Sequence, residues 1–342
     1  MSNSSDLNRL QYIDIAKGIA IICIILGHLG NQSINHFVFT FHIPVFFLIT
    51  GYFISDKRSV LQFIYNKART LIVPYLIVCM ITIVGFTILG FSEGKALFNL
   101  KEWAYASVYG SGDSYTKPFY IKAIGALWFL WASFWGSIFL RVSLNFNKHL
   151  RVLFIIGLFM FGYYSRSLFW FPLSLQAGAC ATLYMYFGYA FRQSKNIISQ
   201  FSSDLKLFGI IGAFCVWYSF ARDFKSFWLV HCDIGRGLPD VFASICACIC
   251  IFIISYVISI KTKILRSILG YLGRFSLLVL AVHTLEMKFI PWWDLANRFV
   301  EHGFPAEYKL YLVILGKILN DLTFAFMLSK IKFVRRAFGY KS

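Results

Sequence analysis

Ten apolar runs alternate with short polar connections along the chain, each long enough to cross a hydrocarbon core of about 30 Å. They fall at about 12–30, 37–55, 70–91, 124–142, 152–168, 173–191, 207–221, 238–260, 275–291 and 308–329. The pattern predicts an all-α, polytopic integral membrane protein of about ten helices in a single domain, residues 1–342. The longest connection, 92–123, contains Gly110-Ser111-Gly112 and reads as an irregular outer loop or a short lid. Residues 1–11 are polar and no small-residue cleavage site follows the first apolar run, so that run is expected to be retained. No internal repeat is evident, which argues against a transporter of two homologous halves.

Charge sets the orientation. Placing both termini inside puts twenty Lys and Arg in inner segments, from Arg9 to Lys341, and ten in outer ones, while Glu93, Glu102, Asp113, Asp223, Asp233, Asp294, Glu301 and Glu307 fall outside. The positive-inside rule therefore predicts both ends in the cytoplasm. Composition agrees with a membrane protein: 58% of the 342 residues are hydrophobic and only 14% charged, against about 25% charged in soluble domains. A net charge of +18 would suit nucleic acid, but basic inner loops account for it, so membrane lipid is expected as a partner and nucleic acid is not. The eight cysteines lie mostly in apolar runs without a Cys-x-x-Cys pair and read as small hydrophobes.

The chemistry concentrates in a few intramembrane polar groups, which are costly in lipid and normally face an interior cavity. Lys17 and His28 are eleven residues apart. On one helix that spacing leaves them about 20° apart in rotation and about 16 Å apart along the axis, which suggests an elongated tunnel. His42 should lie at similar depth to His28. Pro44 should bend the second helix just inward of His42, so His42 reads either as a functional group or as a partner of the bend. Lys57, Arg58, Lys67 and Arg69 form an inner cationic patch suited to a phosphate-bearing ligand, or simply obey the topology rule. Trp128 stands near the outer end of the fourth run, where an aromatic belt would also place it.

In the ninth run His283 and Glu286 are three residues apart and share a face. Glu286 needs a partner: His28 is the preferred one, with an outward-snorkelling arrangement beside Lys288 as the alternative. Lys317 and Asp321, four apart, are expected to neutralise each other, as are Asp14 and Lys17.

At these residues the chain resembles the membrane-bound acyltransferase-3 family, in particular its branch similar to fucose 4-O-acetylases. The family's arginine-or-lysine, ten residues, histidine pattern matches Lys17 and His28. Its Phe-Phe-x-x-Ser/Thr-Gly pattern matches Phe46, Phe47, Thr50 and Gly51, and its Phe-His-x-Pro lead-in matches Phe41, His42 and Pro44. The basic stretch ending in Pro-Tyr resembles Lys67, Arg69, Pro74 and Tyr75, and Leu127 to Leu130 match a Leu-Trp-Phe-Leu element. Leu272 to Ser276 followed by His283 is similar to a late family segment. Two departures stand out: lysine instead of arginine at position 17, a point charge replacing a planar fork, and Gly273-Arg274-Phe275 where the family commonly has asparagine or lysine.

The resemblance implies transfer of an acyl group, usually acetyl, from cytoplasmic acetyl-CoA to a hydroxyl of a cell-surface or lipid-linked glycan in a bacterial cytoplasmic membrane. Acetyl-CoA is then a donor substrate, and no bound cofactor or metal is expected. His28, with His42 and Glu286, becomes the catalytic set. Lys17, Lys67, Arg69, Tyr75, Trp128, Thr50 and His283 become candidates for substrate and CoA binding. Direct transfer in a ternary complex competes with a transient acyl-histidine. Two other classes stay open: a transporter or flippase of a glycan intermediate with a His/Glu relay, and a metal site of His28, His42, His283 and Glu286, for which no local ligand spacing is present.

Overall fold

The computed structural model describes residues 4–340, with side chains from residue 11 onward; the Arg9 side chain and Lys341 lie outside the described residues. Seventeen α-helices make up the described chain: α1 (Ser4–Gly27), α2 (Gln32–Val38), α3 (His42–Phe53), α4 (Val60–Lys67), α5 (Val73–Phe91), α6 (Ala96–Tyr109), α7 (Trp128–Ser143), α8 (Lys148–Ser165) and α9 (Leu175–Gln193), then α10 (Lys195–Gln200), α11 (Ser203–Arg222), α12 (Leu238–Lys261), α13 (Lys263–Arg274), α14 (Ser276–Phe289), α15 (Trp292–Glu301), α16 (Lys309–Ser329) and α17 (Lys332–Ala337). Among the described residues there is no strand, only two isolated bridges, Tyr115 with Ile121 and Trp228 with Asp233.

Each of the ten expected apolar runs is helical, but fewer stand alone as membrane spans. Among the described residues, five segments are long and apolar enough: 32–53, 60–91, 203–222, 238–261 and 306–329; counted as one span, the bent pair α13 and α14 makes a sixth. The others fall short for physical reasons. α7 has only 16 residues, α8 opens on Lys148 and Arg151, and α9 is rich in small, buried residues such as Ala177, Gly178, Ala179 and Ala181. Large apolar side chains face outward on α5, α11 and α16, for example Leu76, Ile88, Phe208, Phe214 and Phe324. In a water-soluble protein such a surface would be a liability.

α1 is the axis of the bundle. Its Ala16, Ala20 and Cys23 pack into a core built around Phe41, Phe47, Trp170 and Tyr184. Its Ile21, Ile24 and Ile25 pack into a second core with Tyr75, Leu127, Leu278 and Val279. A Cβ on Gly273 would stand 1.7 Å from the Asp14 carbonyl oxygen, so only glycine lets α13 lie this close to α1. This assigns a role to the Gly273-Arg274-Phe275 turn. It seats α13 on α1, and the chain then bends by 73° into α14.

Three expectations about local structure need correction. The segment 92–123 is irregular only in its second part, around Gly110-Ser111-Gly112. Its first part is α6, which buries Trp103, Ala106 and Tyr109 at a helical spacing and packs back along α5. The Asn99 amide donates to the Phe86 carbonyl (2.9 Å), and the Tyr75 hydroxyl donates to the Ser107 carbonyl (2.5 Å). The remainder, from Gly110 on, is an irregular strap that buries Gly110, Ser111 and Ile121 and exposes its middle, including Phe119 and Tyr120; it is closed where Ile124 N–H donates to the Ser111 carbonyl at 2.7 Å.

The second run also breaks on the other side of His42 from that expected. The interruption lies at 39–41, between α2 and α3, and Pro44 sits in the first turn of α3, where its missing N–H costs no helical bond. The third run starts earlier than expected, at Val60. Pro74 cannot donate to the Thr70 carbonyl, and the chain widens into a π turn over Ala68–Ile72 just before it.

Candidate functional site

His28 follows directly on Gly27, the last residue of α1, and its imidazole walls two cavities. The larger, about 670 Å³, is lined by His28 and His42, by Gly112, Asp113 and Trp128 from the strap and the start of α7, and by Trp228 and His231 from the α11–α12 connection. The smaller, about 340 Å³, is lined by His28, Trp292, Trp293, Asp294 and Lys317. His42 Nδ1 donates to the Val38 carbonyl at 2.6 Å, across the break between α2 and α3. It is thus both a partner of the break and part of the cavity wall.

Behind His28 lies a buried polar chain. His28 Nδ1 is 2.8 Å from the Ile24 carbonyl and 3.4 Å from His283 Nε2. His283 Nδ1 is 2.9 Å from Asp321 Oδ2 and 3.0 Å from Glu286 Oε2. Lys317 Nζ donates to Glu286 Oε1 at 2.6 Å. His283 and Asp321 have no exposed surface, and Glu286 and Lys317 almost none. These partners assign the protons. The carbonyl of Ile24 requires N–H at His28 Nδ1, and the carboxylates require N–H at His283 Nδ1. His283 Nε2 is then an acceptor facing His28 Nδ1, and the remaining lone pair of His28 sits on Nε2.

Two expectations about these groups change. Glu286 pairs with Lys317 and His283 rather than directly with His28. Lys317 and Asp321 do not neutralise each other: α16 turns both toward α14, Lys317 to Glu286 and Asp321 to His283. With both carboxylates ionised and Lys317 protonated, the cluster carries one net negative charge beside the histidine pair.

His283, Glu286 and Asp321 place their ligand atoms within 4.8 Å of one another, which suits a metal ion by distance. The set differs from the expected one, since Asp321 stands in place of His28 and His42. Its chemistry favours an ion-pair network, because the Lys317 ammonium already supplies a cation at 2.6 Å and His283 Nδ1 holds a proton directed at Asp321.

The other sequence candidates lie apart from this site. Lys17 Nζ is paired with Asp14 Oδ1 at 2.7 Å, as their spacing predicts. Lys67 flanks the Phe63 ring at 5.7 Å, and Arg69 is exposed at the π turn; neither lines the two cavities. Tyr75 is buried and hydrogen-bonded to α6, so it serves packing rather than the cavity. Thr50 lies on α3 beside Gly51, where an added Cβ would meet the Met185 carbonyl oxygen at 1.8 Å. The Phe-Phe-x-x-Thr-Gly pattern therefore seats α3 on α9.

Sequence reasoning passed over Asp113, Trp228 and His231, which come from segments more than a hundred residues apart. Their only signal was the Gly110-Ser111-Gly112 loop itself.

Comparison with known proteins places the chain in a family. A family model described as an acyltransferase domain matches residues 10–316. Two proteins named nodulation protein NolL, from Mesorhizobium japonicum and Sinorhizobium fredii, are 30% and 25% identical over 41% of this chain. The chain covers 38% of the length of each of these relatives. No solved structure matches. With a family match running from α1 into α16 and taking in His28 and His283, the chain belongs to the acyltransferase-3 family.

Proposed function

We propose that the protein is a membrane O-acyltransferase that moves an acyl group, acetyl in the first instance, from cytoplasmic acetyl-CoA to a hydroxyl of a cell-surface or lipid-linked glycan. The observation that carries this reading is the chain Lys317–Glu286–His283–His28, with Asp321 on His283, ending in an imidazole at the wall of two cavities. Its chemistry is that of a general base held in one tautomer. His28 Nε2 takes the proton of the acceptor hydroxyl as its oxygen attacks the thioester carbonyl. The C–S bond then breaks, and the leaving thiolate of CoA takes the proton from His28. The buried carboxylates, acting through His283, favour the imidazolium formed in between. Assistance of this kind contributes about 10²–10⁴-fold.

The inner cationic patch of Lys57, Arg58, Lys67 and Arg69 is the natural seat for the CoA phosphates, with the pantetheine arm running outward along α1 past Lys17. Its loop is held in place by Arg141, whose Nη2 donates to the carbonyls of Arg58 (2.6 Å) and Asp56 (3.3 Å). This reading takes the chain as one ten-span unit in a bacterial cytoplasmic membrane, both termini inside, with His28 toward the outer face. The likeness to fucose 4-O-acetylases belongs to the same proposal.

The test is a titration of acetyl-CoA against wild type, Arg69→Ala and His28→Ala, followed by thermal stability and by release of CoA. Saturable stabilisation of wild type and His28→Ala, weakened in Arg69→Ala, with turnover lost only through His28, is the expected result. A folded wild type that acetyl-CoA neither stabilises nor reacts with would overturn the proposal.

A further inference from the structure

Two segments distant in sequence close over the larger cavity and are locked together by one histidine. His231 Nε2 is 2.9 Å from Asp113 Oδ2, and His231 Nδ1 is 3.0 Å from the Tyr115 hydroxyl. The Tyr115 hydroxyl also donates to the Val230 carbonyl at 3.3 Å, which ties the strap to the α11–α12 connection a second time. Tyr115 is itself stacked on Trp170 at 4.3 Å, which anchors the strap. The lock thus aligns its residues at the cavity without consuming them. The Asp113 side chain remains 48% exposed, and Trp228, stacked on His231 at 5.3 Å, remains 44% exposed.

Three features of this wall point to one kind of ligand. A partly exposed indole offers a flat apolar face of the sort that packs against the C–H face of a pyranose. A carboxylate and an amide beside it offer acceptors for ring hydroxyls: Asp113, and Asn35, whose Oδ1 is buried, has no hydrogen-bond partner and belongs to a residue lining the same cavity. A buried polar atom without a partner is a cost that a ligand hydroxyl would relieve. Third, no Lys or Arg is among the described residues that line this cavity, and Lys288, which approaches it at Gly125, is engaged over the Trp103 ring at 4.1 Å, so histidines are the basic side chains the lining offers to a phosphate or a uronate.

We infer that the wall formed by Asn35, Asp113 and Trp228, held by His231, is the subsite for an uncharged pyranose unit of the acceptor, which it presents to His28. This rests on the acyl-transfer reading for its purpose, but not for its test.

The test measures sugar binding without acetyl-CoA. The full chain, in lipid nanodiscs, is titrated with the methyl glycosides of glucose, galactose, mannose, N-acetylglucosamine and fucose, and with methyl glucuronide, by saturation-transfer NMR. Saturable binding of at least one neutral glycoside in preference to the glucuronide is expected. Trp228→Ala and Asn35→Ala should weaken it by about tenfold each, within the range for an anchor residue, while Trp228→Phe keeps it. Unaltered thermal stability in these variants separates lost contacts from lost fold. Preference for the glucuronide, wild-type affinity in Trp228→Ala, or no neutral glycoside bound by wild type would each overturn the inference. Failure of the acyl-transfer reading shows elsewhere, as the absence of any stabilisation by acetyl-CoA, and leaves the sugar titration standing.

Discussion

His28 Nδ1 and His283 Nε2 stand 3.4 Å apart, on rings inclined by 60°, although 255 residues separate them in the chain. The contact couples a cavity-facing imidazole to a buried one that two carboxylates hold. An imidazole so placed keeps its Nε2 free while its Nδ1 is oriented from behind, as in other sites where a second group fixes the tautomer of a histidine.

Removing either ring should therefore have different consequences. His28→Ala should lower turnover by about 10²–10⁴-fold and leave stabilisation by acetyl-CoA intact. His283→Gln keeps a polar group of similar reach but loses the coupling, so it should lower turnover less than His28→Ala at unchanged donor affinity. Single-turnover rates on the two variants check the order. A His283→Gln protein that turns over at the wild-type rate would remove the network from the mechanism.

Much of the fold was legible because lipid imposes long apolar runs and leaves little room for other structure. The coarse position of His28 was legible too, since an ionisable group at the end of an apolar helix has few bland explanations. What could not be read were pairings across helices. Lys317 and Asp321 are four apart and look self-sufficient, yet packing of α16 on α14 sends each to a different partner. The Asp113–His231 contact spans 118 positions and follows from where the strap turns, which no local pattern encodes. Motif residues carry a second meaning: Thr50-Gly51 and Pro74-Tyr75 mark places where helices touch, and packing constrains a sequence as tightly as chemistry does.

Tyr75 provides a clean separation of those two causes. Its hydroxyl donates to the Ser107 carbonyl at 2.5 Å and its ring meets Trp131 edge-on at 5.6 Å. Tyr75→Phe keeps the ring and removes the bond, which should cost about 0.5–1.5 kcal/mol of stability. Affinity for acetyl-CoA should not change. A shift in that affinity without a shift in thermal stability would return Tyr75 to the donor site.

Gly51 tests the role of the Phe-Phe-x-x-Thr-Gly pattern. A methyl group there would overlap the Met185 carbonyl oxygen, and backbone cannot swing aside as a side-chain tip can. Gly51→Ala should destabilise by about 1–3 kcal/mol, the usual cost of overpacking. Thr50→Val, on a half-buried side chain outside both cavities, should leave donor affinity and turnover near wild type. Thermal melts and acetyl-CoA titrations of the two variants decide it: a stable Gly51→Ala, or a Thr50→Val that loses the donor, would contradict the packing role.

Lys317 and Glu286 test whether the buried chain acts as a unit. Lys317 Nζ meets Glu286 Oε1 at 2.6 Å where neither side chain has more than marginal exposure. A buried pair can be close to neutral overall, yet removing one partner strands the other charge and costs about 3–5 kcal/mol. Lys317→Met should therefore destabilise strongly, and Glu286→Gln should do so less, since the amide oxygen still accepts from Lys317. The double variant, Lys317→Met with Glu286→Gln, removes both charges of this pair and strands neither, so it should melt above Lys317→Met alone. Non-additivity of this kind is the signature of direct coupling. Turnover should stay low in the double variant even as stability returns, because His283 would have lost one of its two carboxylates. If the three melting temperatures instead add independently, the contact contributes nothing of its own, and the relay behind His28 shortens to His283 and Asp321.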